Sequence, residues 1–155
     1  MLELLDDVLA AVPSLIDNPA AWGSLVINRR KPFTYRAFTT WRGCRVCLHR
    51  FEACDEDEAV LHPHPWPGAF AVVRGSYVMG VGFSADRLAK PSQVMRTVLG
   101  PGSRYEIVSP LAWHSVVPRE ECYTVMVNGE AWPEDVAHAG VRRTQGKGLE
   151  PMTPG

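Results

Sequence analysis

His62 and His64 stand one residue apart, and each precedes a proline in the run His62-Pro63-His64-Pro65. Proline disfavours helical backbone in the residue before it, so both histidines are held in extended or polyproline geometry. In an extended segment side chains alternate in direction, and residues i and i+2 share a face. Two imidazoles therefore project together, and imidazole nitrogen is a good ligand for Zn, Fe, Cu and Ni. Buried as purely structural residues, the two rings would need two separate hydrogen-bond partners, whereas one shared metal ion satisfies both. An isolated histidine in another short apolar run, Ala112-Trp113-His114-Ser115-Val116, supplies a third nitrogen donor if its strand faces the first pair.

The remaining candidates read as structural. His49 lies two residues from Phe51, and a hydrogen-bonded core or rim position is expected for it; His138 falls in a polar C-terminal stretch and is expected to be exposed. Cys44 and Cys47 form a C-x-x-C, but in a strand their thiols point to opposite faces, and no second pair follows. The acid run Asp55-Glu56-Asp57-Glu58 reads as a solvated loop, since like charges in a row repel and seek water. Glu58 is the acid of that run nearest the histidines. The basic run at residues 141–148 lacks the strand–turn–helix context of a phosphate loop.

The chain has 155 residues, 46% of them hydrophobic and 21% charged, which suits one soluble domain with a real core. A net charge of −1 gives no support for bulk attraction to nucleic acid or to an anionic membrane, and neither is expected as a partner. Glu3, Asp6 and Asp7 stand where a signal peptide would carry basic residues, and no apolar run reaches membrane-spanning length, so the cytoplasm is the default location.

The elements that must position the histidines are mostly strands. Leu2, Leu5, Val8, Leu9 and Val12 recur at helical spacing, which predicts a helix over residues 2–12 stopped by Pro13. Beyond it, short β-rich runs alternate with Gly and Pro: 22–28, 33–40, 44–52, 69–74, 76–83, 104–109, 113–117 and 122–128. Asn128-Gly129 is a strong hairpin signal, because type I′ turns need positive φ at both central residues. Residues 84–98, interrupted by Pro91, predict a loop leading into a strand, and residues 133–155 a surface tail.

With His62-Pro63-His64 followed by a glycine at Gly75, the sequence resembles the cupin superfamily, whose first motif reads G-x5-H-x-H-x(3,4)-E-x6-G. The second motif, G-x5-P-x-G-x2-H-x3-N, is matched loosely by Pro110-Leu111-Ala112-Trp113-His114, with Pro118 in place of the asparagine. The His-x-His-Pro-Trp segment within residues 49–75 is also similar to small bacterial and phage-type cupins. The resemblance implies an all-β fold, a single cupin-like jelly-roll β-barrel with a short N-terminal helix. It implies a divalent metal held by His62, His64 and His114, iron foremost, with Zn, Ni or Mn as alternatives. The expected activity is oxygenase-type chemistry on a small chelating substrate, and the alternative is a non-catalytic module that binds a metal or small molecule. A homodimer is the default assembly of the superfamily.

One departure matters chemically. Counting back from Gly75 puts Gly68 where the motif has its glutamate. Three neutral imidazoles leave the metal's double charge intact, so such a site favours an anionic or chelating ligand. Three-histidine iron sites in cupins are typical of thiol dioxygenases, a chemical analogy here. Glu58 or Glu106 could restore a carboxylate. By alternation Phe70 and Val72 share the inward face with Gly68, with Tyr77 and Met79 on the next strand, and Trp66 could shape the pocket or pack in the core. Tyr105 is the candidate catalytic acid/base or supporting residue, and Arg50, Arg74 or Arg104 could meet a substrate carboxylate.

Overall fold

The computed structural model describes residues 1–28, 31–87, 89–133 and 149–151. It begins with helix α1 (Leu2–Ile16), followed by a 3-10 turn (Pro19–Ala21) and strands β1 (Gly23–Ile27), β2 (Thr34–Trp41) and β3 (Cys44–Phe51). Next come β4 (His62–Pro63), β5 (Gly68–Arg74), β6 (Tyr77–Phe83), β7 (Met95–Leu99) and β8 (Arg104–Ile107). Then follow β9 (Ala112–Pro118), β10 (Cys122–Asn128) and β11 (Leu149–Pro151). The expected strands are all present within a residue or two, and residues 84–98 do run as a loop into β7.

The helix does not stop at Pro13, as its sequence predicted, but continues to Ile16. Proline removes one i→i−4 hydrogen bond, yet its own φ is compatible with helix, so a final turn can persist if its open carbonyls find donors. The Leu15 carbonyl accepts the Trp22 indole N–H at 2.9 Å and the Asn18 backbone N–H at 3.3 Å.

The strands form two antiparallel sheets. One runs β11-β1-β2-β3-β10-β5-β8 and the other β4-β9-β6-β7. Neither closes on itself through hydrogen bonds, so the expected barrel is built as two open sheets facing each other. Phe70, Met126 and Cys47 of the larger sheet pack with Ala112 of the smaller, and Val72 and Cys122 pack with Tyr77 and Val116. On the outer face of the larger sheet, Leu5 and Val8 of α1 are fully buried against Val46, Ala69, Ala71, Val125 and Val127. Burying each of these two side chains contributes about 1.5–3 kcal/mol.

Two turns differ from expectation. Asn128-Gly129 makes no hairpin; the chain runs on beside residues 65–67, with Gly129 N–H donating to the Pro67 carbonyl at 2.9 Å and Trp132 N–H to Pro65 at 3.1 Å. Glycine is needed there for close approach, since a Cβ at Gly129 would lie 2.9 Å from Pro67 Cγ. The tight hairpin is at Arg42-Gly43 between β2 and β3, where φ is +47° and +76° as a type I′ turn requires. Most of the expected tail, with His138 and the basic run at 141–148, lies outside the described residues, while Leu149–Pro151 pairs with β1 at the edge of the larger sheet.

Candidate metal centre

Pairing of β4 with β9 sets His62 directly opposite His114. Their ring centroids are 4.7 Å apart, and His64, just beyond the end of β4, places its ring 5.2 Å from that of His114. His64 and His114 are buried at 7% and 4% exposure, while His62 is half-buried. Phe70 of β5 stands against the cluster from the other sheet, 5.4 Å from His64 and 5.9 Å from His114.

Two of the rings have a defined tautomer. His62 Nδ1 lies 2.9 Å from the Val60 carbonyl and His64 Nδ1 2.8 Å from the Trp66 carbonyl. A carbonyl can only accept, so each Nδ1 carries a proton, and in the neutral ring the lone pair then lies on Nε2. This is how metal-binding histidines are commonly oriented, the second nitrogen tied to a backbone carbonyl. Both acceptors lie two residues from their histidine, a local geometry that the extended X-Pro backbone makes available.

Arg87, at 4% exposure, is the residue that sequence reasoning missed. Its Nη2 donates to the His64 carbonyl and its Nη1 to the Pro110 carbonyl. One guanidinium thus ties the His64 segment to the chain entering β9, which carries His114. The Trp132 indole N–H adds a second donor to the His64 carbonyl at 3.1 Å. Nothing in the 84–98 loop distinguishes Arg87 from a solvated arginine until the fold brings two carbonyls to it.

Among the described residues, neither Glu58 nor Glu106 takes the place of the carboxylate absent at Gly68. A Cβ there would meet Asn128 Oδ1 and the Phe70 ring at 3.3 Å, so that corner is already filled. Glu58 pairs with Lys31 at 3.2 Å and caps the Asp55 N–H, and Glu106 pairs with the N-terminal ammonium at 3.2 Å. Neither belongs to the cavity. Arg50, Arg74 and Arg104 also face away: Arg50 lies over Tyr35, Arg74 over Tyr123, and Arg104 pairs with Asp6 at 2.9 Å.

The histidines line an inter-sheet cavity of about 70 Å³. Its opposite wall is a cross-strand row: Arg36 on β2 faces His49 on β3, which faces Thr124 on β10. Arg36 Nε–H donates to His49 Nε2 at 2.8 Å, which leaves His49 Nδ1–H to donate to Thr124 Oγ1 at 3.1 Å. Burial, reinforced by the Arg36 charge, holds the His49 pKa well below its ordinary value, so the ring is neutral. His49 is thus the hydrogen-bonded interior histidine that its sequence neighbours suggested.

Tyr105 stacks on Phe70 at 4.7 Å, 7° from parallel, and accepts the Tyr77 hydroxyl at 3.0 Å. Burial pushes both phenols up, and in Tyr77 the neighbouring Tyr105 adds to the effect. Both stay protonated, which suits hydrogen bonding and not proton abstraction. Trp66 packs its ring edge-on, 5.7 Å from His64, and supplies the carbonyl that orients it. Cys44 and Cys47 are free thiols packed in different clusters, as a strand requires.

No family model and no curated protein sequence matches this chain. Solved structures do. A structure of Fe(II)-HppE with the alternative substrate (S)-1-HPP is 11% identical with a TM-score of 0.56, covering 69% of this chain and 56% of that one. The hydroxypropylphosphonic acid epoxidase of S. wedmorenis is 10% identical at a TM-score of 0.54, covering 68% and 55%. Fe(II) HppE in complex with substrate is 12% identical at 0.57, covering 72% and 58%. This chain thus spans little more than half the length of these structures. The likeness establishes the fold, which is all-β and cupin-like with a short N-terminal helix.

Proposed function

We propose that the chain binds one divalent metal ion through His62, His64 and His114 and uses it to act on a small chelating ligand in the inter-sheet cavity. The observation that carries this reading is the direct opposition of His62 and His114 on paired strands, with His64 beside them and two Nδ1 atoms already tied to carbonyls. Ring spacing fits. With a metal–nitrogen bond of about 2.1 Å, two imidazoles sharing one ion at 90–110° have centroids roughly 4.6–5.3 Å apart. Among the described residues no three such side chains have their donor atoms already gathered for an ion, so binding would turn the rings to converge their nitrogens.

Iron is the preferred ion; similar solved structures contain Fe(II) or Co(II), and Zn, Ni and Mn suit the same donors. Bound there, iron would supply Lewis acidity and one-electron chemistry with O2. The chain's own part is to hold the ligand and exclude water. Phe70, Val116 and Met126 make an apolar wall, and Tyr105 offers a protonated phenol. A non-catalytic binding module is the second reading, favoured by one observation: neither the neutral His49 nor the protonated phenols are poised to move a proton near neutral pH.

Metal analysis of protein purified without added metal, then reconstituted with Fe(II) under anaerobic conditions, tests the site. One ion per chain is expected, lost in the double variant His62→Ala/His64→Ala with the near-UV circular dichroism of the fold retained. A folded wild-type protein that takes up no ion would refute the metal reading. Oxygen uptake by the iron form across thiols, amino acids and oxo-acids separates enzyme from module, and no turnover across that panel favours the module.

A further inference from the structure

We infer that Arg36 anchors a carboxylate, and that the ligand of this cavity is a small monocarboxylic acid whose second donor atom faces the histidines. The first half stands on the cavity wall alone; the second half rests on the metal-site reading. Arg36 lies on the inner face of β2 and lines the same cavity as His62, His64 and His114. Among the described residues its one hydrogen bond runs from Nε to His49 Nε2, and no Asp or Glu pairs with it. A half-buried cation without a counter-ion carries a desolvation cost, which is offset when a ligand supplies the opposite charge.

The charge count favours a monoanion. The other cation lining the cavity, Lys31, is already matched by Glu58 at 3.2 Å. Thr34, Thr124, Tyr77, Tyr105 and the neutral His49 contribute no charge of their own. Among the described residues, and apart from the metal's own charge, one uncompensated positive charge remains on the wall opposite the histidines. The geometry favours a planar group. His49 occupies the Nε–H, which fixes the guanidinium plane and leaves the paired terminal nitrogens as a fork of the kind that binds carboxylates in bidentate fashion. The cavity, about 70 Å³, has room for roughly five water positions, which limits the ligand to an acid of about five or six heavy atoms.

The test uses 15N-labelled full-length protein freed of metal, so that it does not depend on the metal site. Pyruvate and glycolate are titrated while the Arg36 Nε–H resonance and binding heat are followed, with hydroxymethylphosphonate as the dianionic comparison. Both carboxylates are expected to shift that resonance. Arg36→Gln should weaken binding at least tenfold, and Arg36→Lys, which keeps charge but loses the fork, should weaken it less. An Arg36 resonance unmoved by either acid overturns the inference even if Arg36→Gln fails to fold. Equal affinity in wild type and a folded Arg36→Gln variant overturns it as well, and tighter binding of the phosphonate overturns the carboxylate assignment. If the carboxylates bind but no metal does, the metal reading alone fails.

Discussion

His49 holds its interior position by accepting from Arg36 and donating to Thr124, and the bond from Arg36 requires the neutral ring. Its folded-state pKa is depressed, so the unfolded chain binds the proton more readily once pH falls below the ordinary histidine value near 6.5. Unfolding free energy should therefore be full above that value and decline as pH drops below it. The decline from this one group is at most about 1.4 kcal/mol per pH unit and levels off below the folded-state pKa. Urea unfolding of wild type and His49→Gln between pH 7.5 and 5 measures this. The variant should lose that part of the slope, and parallel profiles would show that His49 is not the group responsible. Arg87 acts at the same scale, since one buried side chain bonds the carbonyls of both His64 and Pro110.

Helix α1 and the larger sheet form an element pair that stands behind the cavity wall. Leu5 and Val8 pack on Val46, Ala69, Val125 and Val127, on the opposite face of the strands that present His49, Phe70, Thr124 and Met126 to the cavity. Alternation along each strand makes one face answer to the helix and the other to the site. Leu5→Ala should cost about 2–5 kcal/mol of stability, because a fully buried leucine leaves a cavity that a sheet surface cannot close. Chemical denaturation checks this, and metal stoichiometry below the transition should be unchanged, since the helix packs on the face of the larger sheet away from the cavity. A loss under 1 kcal/mol would mean that the helix docks loosely.

For the whole molecule, the two ligand-bearing segments are far apart in sequence and meet only when β4 pairs with β9. An ion bound by both therefore binds the folded chain and not the unfolded one. Free Fe(II) or Zn(II) at a hundred times its dissociation constant should add about 2.7 kcal/mol, or roughly 5–10 °C in Tm for a domain of this size. Calorimetry with and without chelator tests this, and the shift should vanish in His62→Ala/His64→Ala. A shift that persists in the double variant would place the ion elsewhere.

Local order was legible in the residues themselves. Alternating apolar runs and glycine or proline punctuation located the strands, the X-Pro context made the His62–His64 segment extended, and the spacing of Leu2, Leu5, Val8 and Leu9 marked the helix. These depend on backbone sterics and on periodicity over a few residues. Tertiary structure decided the rest. It placed His114 opposite His62, turned Arg36 inward while Arg50, Arg74 and Arg104 faced out, and sent Glu58 and Glu106 to other partners. It also carried the helix past Pro13 by bringing Trp22 to the Leu15 carbonyl, and used Gly129 for close packing instead of a turn. Each of these outcomes depends on which distant strand pairs with which and in what register. That is settled by the joint burial of two sheets and a helix, and no short stretch of sequence contains it.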